Sequence, residues 1–112
     1  KDFKSAFALY SAALDGWRKT GWAWGESRVL ANLGTLKAQA NEFVEASRWF
    51  ADAAAAAWRA GDLLFQARAL LNLARVERRL GQGKANAERA RKVAMTIGWE
   101  DGRKQAEALL TG

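Results

Sequence analysis

The sequence contains no cysteine, no proline and no histidine, and only one methionine and one tyrosine among 112 residues. Each absence removes a class of chemistry. Without cysteine there is no disulfide framework, thiolate zinc site, iron–sulfur cluster or cysteine nucleophile. Without histidine there is no Ser-His-Asp triad, no imidazole general base and no histidine metal ligand. Without proline, nothing in the chain breaks a helix from within. Long apolar runs are missing as well. The longest, Ala53 to Trp58, is far too short to cross a bilayer. No basic-then-apolar secretion signal opens the chain. A cytoplasmic setting is therefore the simpler expectation, and a periplasmic one would require a leader already removed.

What remains is narrow in type. The chain has 25 alanines and six tryptophans, and 27% of its residues are charged. Ala, Leu, Arg and Glu in this abundance, with no proline, specify an all-α fold. The length suits one domain over 1–112, burying roughly 65% of its unfolded surface. The formal net charge of +6 is uneven. Residues 1–56 carry 7 basic and 6 acidic side chains, whereas 57–112 carry 11 and 6. A basic second half favours acidic partners, although the same excess also serves solubility.

The chain repeats itself. Displaced by 40 residues, Phe3 falls on Phe43, Ala6 on Ala46, Tyr10 on Phe50, Ala13 on Ala53 and Gly21 on Gly61. Leu30 then falls on Leu70, Asn32 on Asn72, Leu33 on Leu73 and Gly34 on Ala74. Past Gly81 the displacement becomes 41, with Ala46 on Ala87, Ala53 on Ala94, Trp58 on Trp99 and Gly61 on Gly102. Self-similarity at this period marks a helical-repeat architecture. Within each unit the small and apolar residues step by 3 or 4, the helical rhythm. Gly21, Gly61, Gly81 and Gly98 follow helical stretches, where a left-handed cap needs no Cβ. Asn41, Asp62 and Asp101 precede helical runs and suit N-caps. The expected helices are at about 2–20, 23–40, 42–60, 63–80, 84–97 and 101–111. Loops this short make successive helices antiparallel.

These residues resemble the tetratricopeptide repeats. Leu30, Leu33, Gly34, Phe43, Ala46, Phe50 and Ala53 fill one complete unit of that signature. The next unit has Leu70, Leu73, Ala74, Gly81, Ala87 and Ala94, with Arg91 where the family has an aromatic. The first unit has only its second helix, through Phe3, Ala6, Tyr10, Ala13 and Leu14. The period is similar to that of the longer-helix repeats of kinesin light chains and several bacterial regulators. The resemblance implies a solenoid of antiparallel helix pairs, about six helices in all. Residues 2–20 form the second helix of a partial repeat, 23–60 a complete repeat, 63–97 a second repeat and 101–111 a capping helix. A plain antiparallel bundle is the alternative.

The candidate site lies on the first helices of the repeats. Arg68, Asn72, Arg75 and Arg79 are spaced 4, 3 and 4 apart and share one face; Arg28, Asn32, Thr35 and Gln39 are their counterparts. In the family this face lines a concave groove, and peptide-clamping members place asparagine where Asn32 and Asn72 stand. The resemblance thus implies a peptide site at Arg28, Asn32, Thr35, Arg68, Asn72, Arg75 and Arg79, suited to an acidic segment. The lysines with which carboxylate-clamp members hold a chain terminus have no counterpart here. The same residues also suit a solvated polar face with two asparagines bonding between repeats.

Among the aromatics, Trp17, Trp58 and Trp99 are expected between repeats. Trp22 and Trp24, two apart, cannot share a helix face, so one of them is expected outside. The basic cluster from Arg75 to Lys92 has no interleaved aromatics for stacking bases and belongs to no DNA-reading motif, which argues against nucleic acid. Glu42/Glu45 and Glu100/Asp101 sit at helix starts, where acids suit the dipole rather than catalysis. Gly81, Gly83 and Lys84 lack the strand and spacing of a phosphate loop. The sequence therefore points to a non-enzymatic module, with no cofactor or metal, that binds a protein or peptide. Two further readings stay open. One is a self-associating scaffold, pairing through Phe3 and Phe7 on the uncovered first helix. The other is the sensor or docking region of a larger bacterial regulator.

Overall fold

A computed structural model describes residues 3–111, the side chain of Phe3 excepted. Six α-helices follow one another: α1 (Phe3–Thr20), α2 (Ala23–Gln39), α3 (Phe43–Arg59), α4 (Leu63–Arg79), α5 (Lys84–Ile97) and α6 (Glu100–Thr111). No strand occurs among the described residues. Each helix packs on its neighbours in the chain, and α4 also touches α6. The result is an array 37 × 30 × 19 Å across, thin in one direction because helices are added side by side.

The core follows from the small residues. Ala46, Ala53, Ala56 and Ala57 of α3 are fully buried, as are Ala67 of α4 and Ala87 of α5. Alanine lets helix axes approach, and the space between is filled by Leu30, Leu33, Leu70 and Leu71. Each fully buried leucine contributes about 1.5–3 kcal/mol. Gly34 takes this logic furthest. A Cβ there would meet the Phe50 ring at 2.8 Å, so glycine is what allows that ring to lie against α2.

The helix ends are glycine-capped as expected: Gly21, Gly61, Gly81 and Gly98 have φ of 72, 70, 82 and 74°. At the end of α2 the same left-handed turn is made by Asn41, with φ 62°. Asn41 is thus a C-terminal residue rather than the N-cap of α3, a position held by Glu42, whose side chain makes no capping bond. Asp101 lies inside α6 and caps nothing. Asp62 does cap α4, its Oδ1 accepting from the Phe65 N–H at 3.0 Å.

Three expectations about aromatics change. The 41-residue match holds through Ala94, then slips, because α5 has 14 residues where α3 has 17. The structural counterpart of Gly61 is Gly98, not Gly102. Trp58 consequently stands on the last turn of α3 and is 64% exposed, while Trp99 follows α5 and folds half-buried over Gly102. Trp22 and Trp24 are both exposed, and their rings stack at 5.3 Å. Helical spacing does not govern this pair, because Trp22 sits before α2 with φ −85° and ψ 89°. Phe43, which fills the repeat signature together with the core residues Leu33 and Phe50, is only half-buried: it opens α3, and its ring is reached by the Arg79 guanidinium at 4.7 Å. Leu33, Phe50 and Leu73 are buried.

Phe7 of the opening helix is not bare, although Leu9, two residues on, is exposed. Phe7 is half-buried, edge-on to Trp49 at 6.1 Å with the Lys37 ammonium 4.8 Å from its ring. Lys37 also pairs with Glu45 at 3.0 Å and Glu42 at 3.1 Å, and these bonds raise its pKa above the ordinary lysine value. The Phe3 side chain lies outside what is described.

Candidate functional site between α2 and α4

Helices α2 and α4 bring four of the seven candidate residues together. Thr35 from α2 and Asn72, Arg75 and Arg79 from α4 line one open cavity of about 450 Å³, with Phe43 and Phe50 of α3 also in its wall. The arrangement follows from helix geometry. Residues spaced 4, 3 and 4 along α4 form a stripe, and α2 supplies Thr35, Ala38 and Gln39 to the same cavity. Apolar rings below and cationic heads above suit a ligand with an acidic, partly apolar segment.

Each polar head has a local arrangement. Arg75 Nη1 donates to Asn72 Oδ1 at 3.1 Å, and its Nη2 donates to Gln105 Oε1 of α6. The amide nitrogen of Asn72 has no partner among the described residues, leaving a donor facing outward. Thr35 Oγ1 donates back to the Ala31 carbonyl at 3.0 Å, which uses its only side-chain donor. Asn32 is exposed on α2 and does not line the cavity.

Arg28 and Arg68 belong to the other end of these helices. Arg28 Nη2 pairs with Asp62 Oδ2 at 2.8 Å, and its guanidinium lies between the rings of Phe65 (3.9 Å) and Trp24 (4.2 Å). Arg68, exposed, stands 5.7 Å from the centre of Trp99. Burial alone would raise the Asp62 pKa. The Phe65 N–H, the Arg28 guanidinium and the charge of Arg68 outweigh it, so the carboxyl sits below its ordinary value. The two arginines therefore flank one carboxylate on the same side of the molecule. Arg28 is already committed to that carboxylate, whereas Arg68 makes no ion pair within contact distance among the described residues.

Sequence reasoning missed this sandwich. The signal was present as Trp24 and Phe65, which stand near the starts of the paired helices, but their rings were not assigned to a cation. No group of acidic side chains that could hold a metal ion occurs among the described residues. No described helix is long and apolar enough to cross a membrane. Compared with known proteins, the chain matches no family model and no curated protein.

Proposed function

We propose that this chain is a tetratricopeptide-like repeat module, without catalytic activity, that holds an acidic segment of a protein partner between α2 and α4. The observation that carries the reading is the shared cavity in which Thr35 meets Asn72, Arg75 and Arg79 above the Phe43 and Phe50 rings. A peptide laid there gains a backbone partner in the Asn72 amide and carboxylate partners in Arg75 and Arg79. Arg68 extends the same positive stripe toward Trp99. Arg28 contributes by fixing the groove's far end, through Asp62, rather than by touching the ligand.

The test is a partner recovered from the native host, bound to the chain and to single variants at two ionic strengths. Arg79→Ala should weaken binding by about 2–5 kcal/mol if its carboxylate partner is buried on binding, chiefly through faster dissociation. Arg103→Ala should change binding little, because Arg103 is held on α6 by Glu100 and Glu107 at 2.6 and 2.7 Å. Salt should weaken binding moderately. A steep slope, with equal small losses for both variants, would leave only nonspecific charge and end the groove reading.

A further inference from the structure

Helix α4 has a second side. Gln66, Leu70, Leu73 and Glu77 are also spaced 4, 3 and 4 apart, two residues before the arginine stripe and so turned roughly 200° around the helix from it. This side floors an open trough of about 690 Å³ whose walls are α3 and α5.

Three features of the trough point to the same occupant. The first is size. The lining runs from Ser47 to Trp58 on α3 and from Gln66 to Glu77 on α4, about 16 Å in each case at the helical rise. The embedded half of a 10 Å-wide helix of that length displaces roughly 600 Å³, close to the volume present. Ala51, Ala54 and Ala55 keep the middle of the α3 wall low, between Arg48 toward one end and Trp58 at the other.

The second feature is an unanswered polar group. Gln66 is only 9% exposed, yet its Oε1 has no donor among the described residues. That oxygen is shut off from solvent, so an incoming donor removes the deficit once the amide turns toward the trough that Gln66 lines. The third is charge. Arg48 stands on the α3 wall and Arg89 on the α5 wall, and neither has a carboxylate within ion-pair distance among the described residues. Among the described residues Arg89 donates only to Asn86, at 2.9 Å. Glu77, the one acid in the lining, already accepts from Asn86 Nδ2 at 2.8 Å. Two unpaired guanidiniums on opposite walls favour an occupant with acids on both flanks.

We propose that the α3–α5 trough docks an amphipathic helix of a protein partner. That helix lays a narrow apolar stripe against the alanine wall, carries acidic residues on both flanks and offers a hydrogen-bond donor to Gln66. The site is independent of the α2–α4 groove. A second copy of this chain fits poorly. Only α6, among the described helices, has more acids than bases, and its Glu100 and Glu107 are tied to Arg103.

The probe is a displayed library of helical peptides about 18 residues long, enough to hold a helix in water, with stripe and flank positions randomised. It is panned against the folded chain. The selected helices should carry Asp or Glu on both flanks. Their affinity should fall at least about tenfold for Ala55→Trp, which fills the trough from an exposed position, and for the pair Arg48→Glu and Arg89→Glu. Ala51→Trp replaces Ala55→Trp if the latter lowers the unfolding midpoint. Asn72→Ala, on the opposite side of α4, should leave affinity unchanged. Four results overturn the proposal: no binder at all, binders with basic or neutral flanks, binding that survives the filled trough, or a dimer of the free chain that filling the trough abolishes.

Discussion

The two sides of α4 have the same spacing and opposite states. On the side facing α2, the charged groups already have company: Arg28 lies between two rings and on Asp62, Arg75 bonds Asn72 and Gln105, and Arg79 lies over Phe43. On the side facing α3 and α5, Arg48 and Arg89 have no acid and Gln66 Oε1 no donor among the described residues. A helical rhythm of polar residues therefore identifies a face, but not whether its groups are free. That depends on what surrounds each group, which for Arg28 is Trp24 one turn back on its own helix and Phe65 and Asp62 at the start of α4.

Substitutions can break or sharpen this contrast. The largest effect is expected at Gly34, which both sides depend on because it lets Phe50 seat against α2. Gly34→Leu should lower stability by about 3 kcal/mol, the upper end for overpacking, read as a drop in the urea midpoint. An unchanged midpoint would mean that Phe50 has room the structure does not show. Next comes Arg28→Ala. It removes a partly buried ion pair and two ring contacts, and should lose about 1–2 kcal/mol at neutral pH.

That second loss should depend on pH. The folded-state pKa of Asp62 lies below its unfolded value, so the unfolded chain binds more protons in that range and stability rises with pH. The Asp62 contribution is fully present above about pH 4 and disappears as pH falls through the folded value. Urea midpoints should therefore fall less on acidification for Arg28→Ala than for the unaltered chain. Parallel curves would contradict the coupling.

On the other side of α4 the sign reverses. Gln66→Met keeps the volume and removes the unanswered acceptor, so it should raise stability by about 1 kcal/mol. A loss there would mean that the amide has a partner, such as ordered water, in the free protein. The smallest effect is expected at Arg48, exposed and unpaired. Arg48→Ala should shift stability by less than about 0.5 kcal/mol.

Much of the fold was legible because local signals agreed with one another. The left-handed glycines mark four helix ends, and the alanine and leucine steps mark the buried faces. The register was misread where chance identity concealed a length change. Trp58 and Trp99 match in the sequence, but α5 stops three residues earlier than α3 would in that register, so one tryptophan ends exposed on a helix and the other folds into a junction. The candidate site was legible as a stripe: Thr35, Asn72, Arg75 and Arg79 do share a cavity. The involvement of Arg28 with Asp62 was not legible, because it depends on the packing of α2 beside α4. Gln66 escaped notice for a related reason. A single polar residue on an apolar stripe becomes informative only when its partners can be counted.

The most direct test of the central claim is nuclear magnetic resonance of the labelled chain, following the side-chain amides of Asn72 and Gln66 while the acidic segment of a recovered partner is added. The Asn72 amide should shift in a saturable way, moderately sensitive to salt, while Gln66 stays still. Saturable shifts at Gln66 with none at Asn72, or shifts at neither, would contradict a partner held between α2 and α4.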